Sequence, residues 1–232
     1  QIQFHIGYGV MVLSKTAPRG VLFDMDGVII DSESYNYALD RDAFSLQGFT
    51  LDWDTFRHVI GTNEASIRSF YESRYGKAFD FDRLRRDTDR LFFDYIEKNG
   101  VSPKPGALAA LRWLKEQGFK LCLATSNDYG DARFLMERIG VWELFDAVVT
   151  GDRVGPSKPA PDIYLAAAAA LGLAPEECLA VEDSYAGVKS AAAARCQTVM
   201  VPDLLPPTDE MHALADAIIP NLEALPAYVS AL

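Results

Sequence analysis

Short apolar, β-prone segments alternate with helical segments along the C-terminal half of the sequence, and this alternation limits the possible folds more than any other feature. It indicates an α/β domain with a parallel sheet and right-handed crossovers. A first strand is predicted at Val21-Leu22-Phe23, an apolar run that ends at charged residues. Further strands are predicted at 120–124, 147–150, 179–181 and 198–201, and helices at 106–117, 131–139, 161–171 and 185–194.

A helical segment interrupts this pattern directly after the first strand. Residues 33–100 combine charged and aromatic residues at helical spacing, which predicts helices at 33–46, 52–59, 63–75 and 80–98. About seventy residues are too many for a loop. We therefore predict a small all-helical domain at 33–100, called the helical insertion below, within an α/β core of residues 20–32 and 101–232. Residues 1–19 are expected to form an N-terminal tail, and Met11 is a candidate for the natural start.

The net charge narrows the choice of partners. A formal charge of -11 and a pI near 4.7 give a surface that repels nucleic acid and anionic membranes, so we expect neither as a partner. An anionic substrate would be repelled as well. Its site would need a local cation, either a metal ion or a buried lysine, to reverse the field.

The cysteines and histidines argue against a disulfide framework and a zinc site. Three cysteines occur in apolar or alanine-rich segments without a CxxC pair, which favours a reducing, cytoplasmic setting. Three histidines are scattered. No run is long and apolar enough to span a bilayer, and the first ten residues do not resemble a signal peptide. The oligomeric state cannot be read from the sequence, and a monomer is the default expectation.

Two carboxylates follow the first predicted strand. Asp24 and Asp26 are followed by Gly27, which permits a tight turn. Carboxylates this close can bind a hard cation such as Mg²⁺, or divide the work of nucleophile and acid–base. A solvated turn explains the same residues equally well, since Asp and Gly are common in turns.

Polar residues also follow the next predicted strands. Thr125-Ser126-Asn127 can hold phosphate oxygens through hydroxyl and backbone N–H groups, or simply cap a helix. Lys158 lies between prolines and suits a phosphate, although it could be a surface lysine. Glu182-Asp183 could bind a cation or favour a helix dipole. Because parallel strands end at one edge of a sheet, these groups can converge there, and together they predict a site.

The four segments FDMDGV, ATSN, SKPAPDIY and VEDSYAGV, in this order, resemble the motifs of the haloacid dehalogenase superfamily of phosphohydrolases, specifically the branch with a helical cap between its first two motifs. The similarity runs from about Val21 to at least Pro202. It implies a Rossmann-like parallel sheet with helices on both faces and a helical cap inserted after the first strand. It also implies a Mg²⁺-dependent phosphatase that acts on a small phosphorylated metabolite, such as a sugar phosphate.

The resemblance implies a role for each matching residue. Asp24 would be the nucleophile that forms an aspartyl-phosphate, and Asp26 the acid–base. Lys158 would neutralise charge on Asp24 and the phosphate. Thr125 would bind the phosphoryl group with backbone help from Ser126 and Asn127. Magnesium would be held by Asp24, the backbone carbonyl of Asp26 and Asp183, with Glu182 as support or as a ligand through water.

The resemblance leaves the type of reaction open. The presence of Asp26 argues against the dehalogenases, which lack an acid–base there. SKPAPDIY and EDSYAGV are similar to β-phosphoglucomutase, but Asn36 stands at the position of that enzyme's cap histidine and Glu64 at that of its cap arginine, for which Arg68 could substitute. A phosphatase is therefore the first hypothesis, a mutase the second and a silent binding protein the third. Candidate specificity residues are Glu33, Asn36, Asn63 and Arg68.

Overall fold

The computed structural model describes residues 17–60 and 64–232, and its centre is a six-stranded parallel sheet with the order β3-β2-β1-β4-β5-β6. The strands are β1 (Gly20–Phe23), β2 (Lys120–Thr125), β3 (Ala147–Thr150), β4 (Cys178–Glu182), β5 (Gln197–Met200) and β6 (Ala217–Ile218). The chain adds β2 and β3 on one side of β1 and then returns to place β4, β5 and β6 on the other. This reversal leaves a crevice at the carboxyl ends of β1 and its two neighbours, where open α/β sheets bind ligands.

Helices cover both faces of this sheet, as the alternation predicts. Val21 and Phe23 point into one apolar cluster, which helices cover on one face of the sheet, while Leu22 points into a second cluster on the other face. Successive side chains of a strand face opposite ways, so a strand buried on both sides reads as a continuous apolar run. The helices of the core are α5 (Ala107–Glu116), α6 (Tyr129–Arg138), α7 (Asp162–Ala170), α8 (Tyr185–Ala193), α9 (Asp209–Leu214) and α10 (Leu225–Ser230).

The helical insertion has an apolar cluster of its own. Its helices are α1 (Glu33–Leu46), α2 (Trp53–Phe56), α3 (Glu64–Tyr75) and α4 (Phe81–Asn99). Phe44, Tyr71 and Phe79 pack edge to face or tilted at the centre of this cluster. This separate apolar cluster is what a second domain would need. The boundaries of the two domains stay a prediction.

Two linkers join the helical insertion to the core, and they pair with each other. Asp31 donates its N–H to the carbonyl of Ser102 at 2.8 Å, and Lys104 donates its N–H to the carbonyl of Ile29 at 2.8 Å. The Lys104 ammonium lies 2.7 Å from an oxygen of Asp203, which follows β5. Both ends of the insertion are therefore tied to the edge of the sheet where the predicted site lies.

Several predicted boundaries of helices are wrong, and three short elements were not predicted. The helix predicted at 52–59 ends at Phe56, because the chain then turns and brings Phe56 and Val59 into the same apolar cluster. Helix α6 begins at Tyr129 rather than at 131, because the Asp128 carboxylate accepts the N–H of Asp131 and caps it. The short elements α9, β6 and α10 were not predicted, since they span too few residues to show a periodicity. Among the described residues, no helix is both long and apolar enough to cross a membrane.

We predict that Gly106→Ala destabilises the core. Gly106 precedes α5 with a φ of +80°, and a Cβ there would lie 2.3 Å from the backbone nitrogen of Glu223. The backbone strain and this clash together should lower the free energy of unfolding by about 3 kcal/mol or more. Gly118→Ala is the matched control, because Gly118 has a φ of +84° with nothing within 4 Å. Gly118→Ala should lower the free energy of unfolding by only about 1 kcal/mol. Equal losses in urea unfolding would contradict the role of the clash.

Candidate active site

The predicted strand-end residues converge at one edge of the sheet. Asp24 directly follows β1, while Thr125 and Glu182 are the last residues of β2 and β4. The register pairs Phe23 with Leu123 on one side and with Val181 on the other, so the three strands end within two residues of one another. All three residues are buried. The fold therefore brings Thr125 and Glu182 close to Asp24, although each lies more than a hundred positions from it in the sequence.

Lys158 is the cation at the centre of this group. Its Nζ lies 2.9 Å from Oδ1 of Asp24 and 2.6 Å from Oε1 of Glu182, and it donates to the carbonyl of Ala124 at 3.3 Å. The residue is 8% exposed, which excludes the surface lysine that the sequence left open. Burial alone lowers the pKa of a lysine, but the carboxylates of Asp24 and Glu182 raise the pKa of Lys158 above its ordinary value. Lys158 is therefore charged.

The acidity of Asp24 differs strongly from that of an ordinary aspartate. Burial, and after it the negative charge of Glu182, raise the pKa of Asp24 to about 7, although Lys158 opposes them. The site thus holds more negative charge than Lys158 alone can balance. Any further cation next to Asp24 would favour its ionised form, in which the carboxylate can act as a nucleophile.

Asp26 lies beside Asp24 in a different environment. Burial raises the pKa of Asp26 as well, and hydrogen bonds and the charge of Lys158 oppose the effect. The side-chain amide of Asn127 donates to Oδ2 of Asp26 at 2.9 Å. Sequence reasoning gave Asn127 only a backbone role towards phosphate, whereas in the structure its side chain orients Asp26. A contact between residues 101 positions apart leaves no signal in one sequence.

Thr125 and Ser126 shape the loop that leads into α6. The Thr125 side chain is fully buried, and its hydroxyl oxygen accepts the N–H of Asn127 at 3.2 Å. Ser126 is exposed. Its carbonyl lies so close to Gly151 that a Cβ on Gly151 would stand 2.2 Å from it. The loop is therefore held from both sides, and its predicted role in phosphate binding stays a prediction.

Glu182 is fully buried and its two oxygens have several partners. Oε1 accepts the hydroxyl of Tyr164 at 2.6 Å in addition to Lys158. Oε2 accepts weaker bonds from the hydroxyl of Ser184 at 3.3 Å and from the N–H of Asp183 at 3.2 Å. Sequence reasoning missed Tyr164 as a site residue, although it ends the SKPAPDIY segment. Burial and the charge of Glu182 raise the pKa of Tyr164 well above its ordinary value, so its hydroxyl keeps its proton and donates.

The carboxylates at this edge fit a divalent cation. One oxygen each from Asp24, Glu182 and Asp183 lie within 4.8 Å of one another. Oxygen ligands in such a cluster suit Mg²⁺, and a cation bound beside Asp24 would oppose the rise in its pKa that burial and the charge of Glu182 cause. A Cβ at Gly27 would lie 2.2 Å from Oδ2 of Asp183, so only a glycine lets this carboxylate come so close. Asp24 and Asp183 are better placed than Glu182 to bind a cation, because the strong bonds of Glu182 go to Lys158 and Tyr164.

The candidate specificity residues differ in their surroundings, and one of them lies outside the described residues. Arg68 forms ion pairs with Asp82 at 2.5 Å and with Glu72 at 3.6 Å, and its guanidinium lies 4.4 Å from the centroid of the Phe81 ring. Its charge is thus already balanced inside the helical insertion. Asn36 is half-buried in α1, and Glu33 is the first residue of that helix. Asn63 lies outside the described residues. The specificity roles of all four stay a prediction.

Comparison with known proteins finds related phosphatases and a matching family. A family model described as haloacid dehalogenase-like hydrolase matches residues 18–195. Hexitol phosphatase A of Escherichia coli is 32% identical over 198 residues, which cover 79% of this chain and 82% of that protein. The phosphorylated carbohydrates phosphatase of Thermotoga maritima is 30% identical over 185 residues, which cover 78% of this chain and 83% of that protein.

A solved structure shows the same fold. The crystal structure of CbbY from Rhodobacter sphaeroides in complex with phosphate superposes with a TM-score of 0.77 at 24% identity, over 90% of this chain and 96% of CbbY. The family match runs from the segment before β1 to the residues just after α8, so it covers the first four strands and all the site residues described above. The chain belongs to the haloacid dehalogenase-like hydrolase family.

Proposed function

We propose that this hydrolase is a Mg²⁺-dependent phosphatase that acts on a small phosphorylated metabolite through an aspartyl-phosphate on Asp24. The observation that carries the proposal is the contact of the buried Lys158 ammonium with Oδ1 of Asp24 at 2.9 Å, within a cluster of carboxylates at the ends of β1 and β4. A carboxylate that is held against a fixed cation, in a site that can take a second cation, suits attack on an anionic phosphorus centre.

The relatives support the substrate class. Their names state activity on hexitol phosphates and on phosphorylated carbohydrates, and each aligns with more than three quarters of this chain. The acidic surface of the chain would repel a polyanion that binds along the surface. It therefore favours a small ester that enters the site as the substrate. We therefore propose a sugar phosphate or similar metabolite as the substrate. The three buried free thiols favour a reducing compartment such as the cytoplasm as its setting.

The first half of the proposed reaction forms the phosphoenzyme. A carboxylate oxygen of Asp24 attacks phosphorus, and the bond between phosphorus and the ester oxygen breaks. Lys158 stabilises the charge on Asp24 and on the phosphoryl oxygens that approach it. Asp26, whose pKa burial raises, gives its proton to the leaving oxygen. Asp24 and Asp183 would hold magnesium with the Asp26 carbonyl, and the bound ion supplies positive charge beside the transferring group.

The second half releases phosphate. Asp26, now ionised, takes a proton from a water molecule whose oxygen attacks phosphorus, and the bond between phosphorus and Asp24 breaks. The hydrogen bond from the Asn127 amide keeps the Asp26 carboxylate in place for both proton transfers. The leaving alcohol and inorganic phosphate are the products, and Asp24 and Asp26 return to their starting states.

The charges of the helical insertion favour a phosphatase over a mutase. A mutase must hold a second phosphate while its intermediate turns over, which usually calls for a free arginine. Glu64 stands at the position of that arginine and pairs with Arg85 at 3.8 Å, and Arg68 is occupied by Asp82 and Glu72. Neither of the two positions considered for a second phosphate therefore offers a free cation.

We predict that Asp24→Asn abolishes Mg²⁺-dependent release of phosphate from p-nitrophenyl phosphate. An amide is a poor nucleophile, so kcat should fall by about 10³-fold or more. The variant should fold, since it removes a buried charge beside Glu182. Asp42→Asn, which changes an exposed aspartate of α1, is the matched control and should keep full activity. Undiminished release by the Asp24 variant would refute the assignment of the nucleophile.

Removal of divalent metal should stop the reaction reversibly. Dialysis against a chelator should abolish p-nitrophenyl phosphate hydrolysis, and added Mg²⁺ should restore it. Asp183→Asn should raise the Mg²⁺ concentration for half-maximal activity by about ten-fold or more, because it removes one charged oxygen ligand. Asp209→Asn, which changes an exposed aspartate of α9, should not change it. Full activity after chelation would contradict the metal requirement.

A direct assay separates the two reaction types. With β-glucose 1-phosphate, a bisphosphate primer and Mg²⁺, we expect free phosphate and no accumulation of glucose 6-phosphate beyond the uncatalysed level. The reason is that Glu64 replaces the arginine expected to bind a second phosphate, and Arg68 is already paired with acidic residues. Enzymatic conversion to glucose 6-phosphate without free phosphate would reverse the order of the two hypotheses.

A further inference from the structure

Tyr164 has a contact that the proposed mechanism does not use. It lies in the first turns of α7, its side chain is fully buried, and its ring packs in the apolar cluster beneath β1, β2 and β4. A phenylalanine would fill that apolar space equally well. Its hydroxyl instead donates to Oε1 of Glu182 at 2.6 Å, and this bond satisfies a polar group deep in the core.

The hydroxyl shares its acceptor with Lys158. Oε1 of Glu182 accepts from Tyr164 and from Lys158, each at 2.6 Å, whereas Lys158 reaches Oδ1 of Asp24 at 2.9 Å. The other oxygen of Glu182 has only longer contacts of 3.2–3.4 Å. Most of the stabilisation of the buried Glu182 charge therefore comes through Oε1. Its two donors there are Tyr164 and Lys158, and of these Lys158 also contacts Asp24.

The Tyr164 ring limits the position of the ammonium as well. Nζ of Lys158 lies 5.3 Å from the ring centroid, which is within the range of a cation–π contact. The ammonium has three donors and contacts three oxygens, those of Asp24, Glu182 and the Ala124 carbonyl. A stronger pull from any one of these acceptors would move it away from the others.

We infer that Tyr164 is a positioning residue, whose hydroxyl relieves part of the negative charge of Glu182 and so keeps the Lys158 ammonium on Asp24. Without the hydroxyl, Glu182 would rely on Lys158 alone at Oε1. Charges attract strongly in a buried site, so the ammonium would then lie closer to Glu182 and stabilise Asp24 less. The inference rests on the proposed function, because its effect on turnover requires Asp24 to be the nucleophile.

The test is Tyr164→Phe, which keeps the ring and removes the hydroxyl. We expect kcat for p-nitrophenyl phosphate to fall by about ten-fold or more, with KM within about two-fold, since the bond lost is one to a charged group. The matched control is Tyr71→Phe, in the helical insertion. Tyr71 is 1% exposed, and its hydroxyl has no hydrogen-bond partner among the described residues. This control should keep the kcat of the wild-type enzyme.

A second readout does not depend on turnover. The side-chain ammonium of Lys158 can be followed by ¹H–¹⁵N NMR in the metal-free protein and assigned by its loss in Lys158→Met. Tyr164→Phe should shift this resonance, and Tyr71→Phe should not. A hydroxyl with a purely structural role would lower the melting temperature and leave both kcat and the Lys158 resonance unchanged.

The outcomes separate this inference from the proposed function. If the wild-type enzyme hydrolyses the ester and Asp24→Asn does not, the proposed function stands. A kcat of Tyr164→Phe within two-fold of wild type, or an unshifted Lys158 resonance, then overturns the positioning role alone. If the wild-type enzyme hydrolyses no phosphate ester with Mg²⁺ present, the proposed function fails and the inference fails with it.

Discussion

The buried ion pairs of Lys158 are the interaction on which the rest of the site depends. Burying a charged lysine away from water costs free energy unless carboxylates surround it. Burying carboxylates likewise costs free energy unless a cation lies beside them. Asp24 and Glu182 meet this condition from two neighbouring strands, and Lys158 reaches both from the loop before α7. Each group therefore helps to fix the others, and the loss of Lys158 would leave both buried carboxylates without their cation.

This arrangement also reconciles the charge of the chain with an anionic substrate. A protein with a formal charge of -11 repels phosphate esters over most of its surface. At the edge of the sheet the local balance is different, because Lys158 is held in place and the carboxylates beside it can take a divalent cation. The acidity of the surface and the proposed chemistry of the site are thus compatible, since short-range contacts outweigh the screened field of distant charges.

The sheet topology decides which residues can cooperate. Because β1 lies between β2 and β4, Asp24 has the Thr125 loop on one side and Glu182 on the other. The linkers of the helical insertion leave from the same edge and are paired with each other, and Lys104 binds them to Asp203.

The sequence by itself determined the class of the fold and the core of the site. Apolar runs of strand length, the helices between them and the polar residue after each strand are local patterns, and parallel strands bring their ends together by geometry alone. Only the tertiary structure decided that Asn127 orients Asp26, that Tyr164 bonds to Glu182 and that Arg68 is paired with Asp82. These contacts join residues between 14 and 101 positions apart. The packing of helices and loops brings such residues together, and no local pattern of the sequence records it.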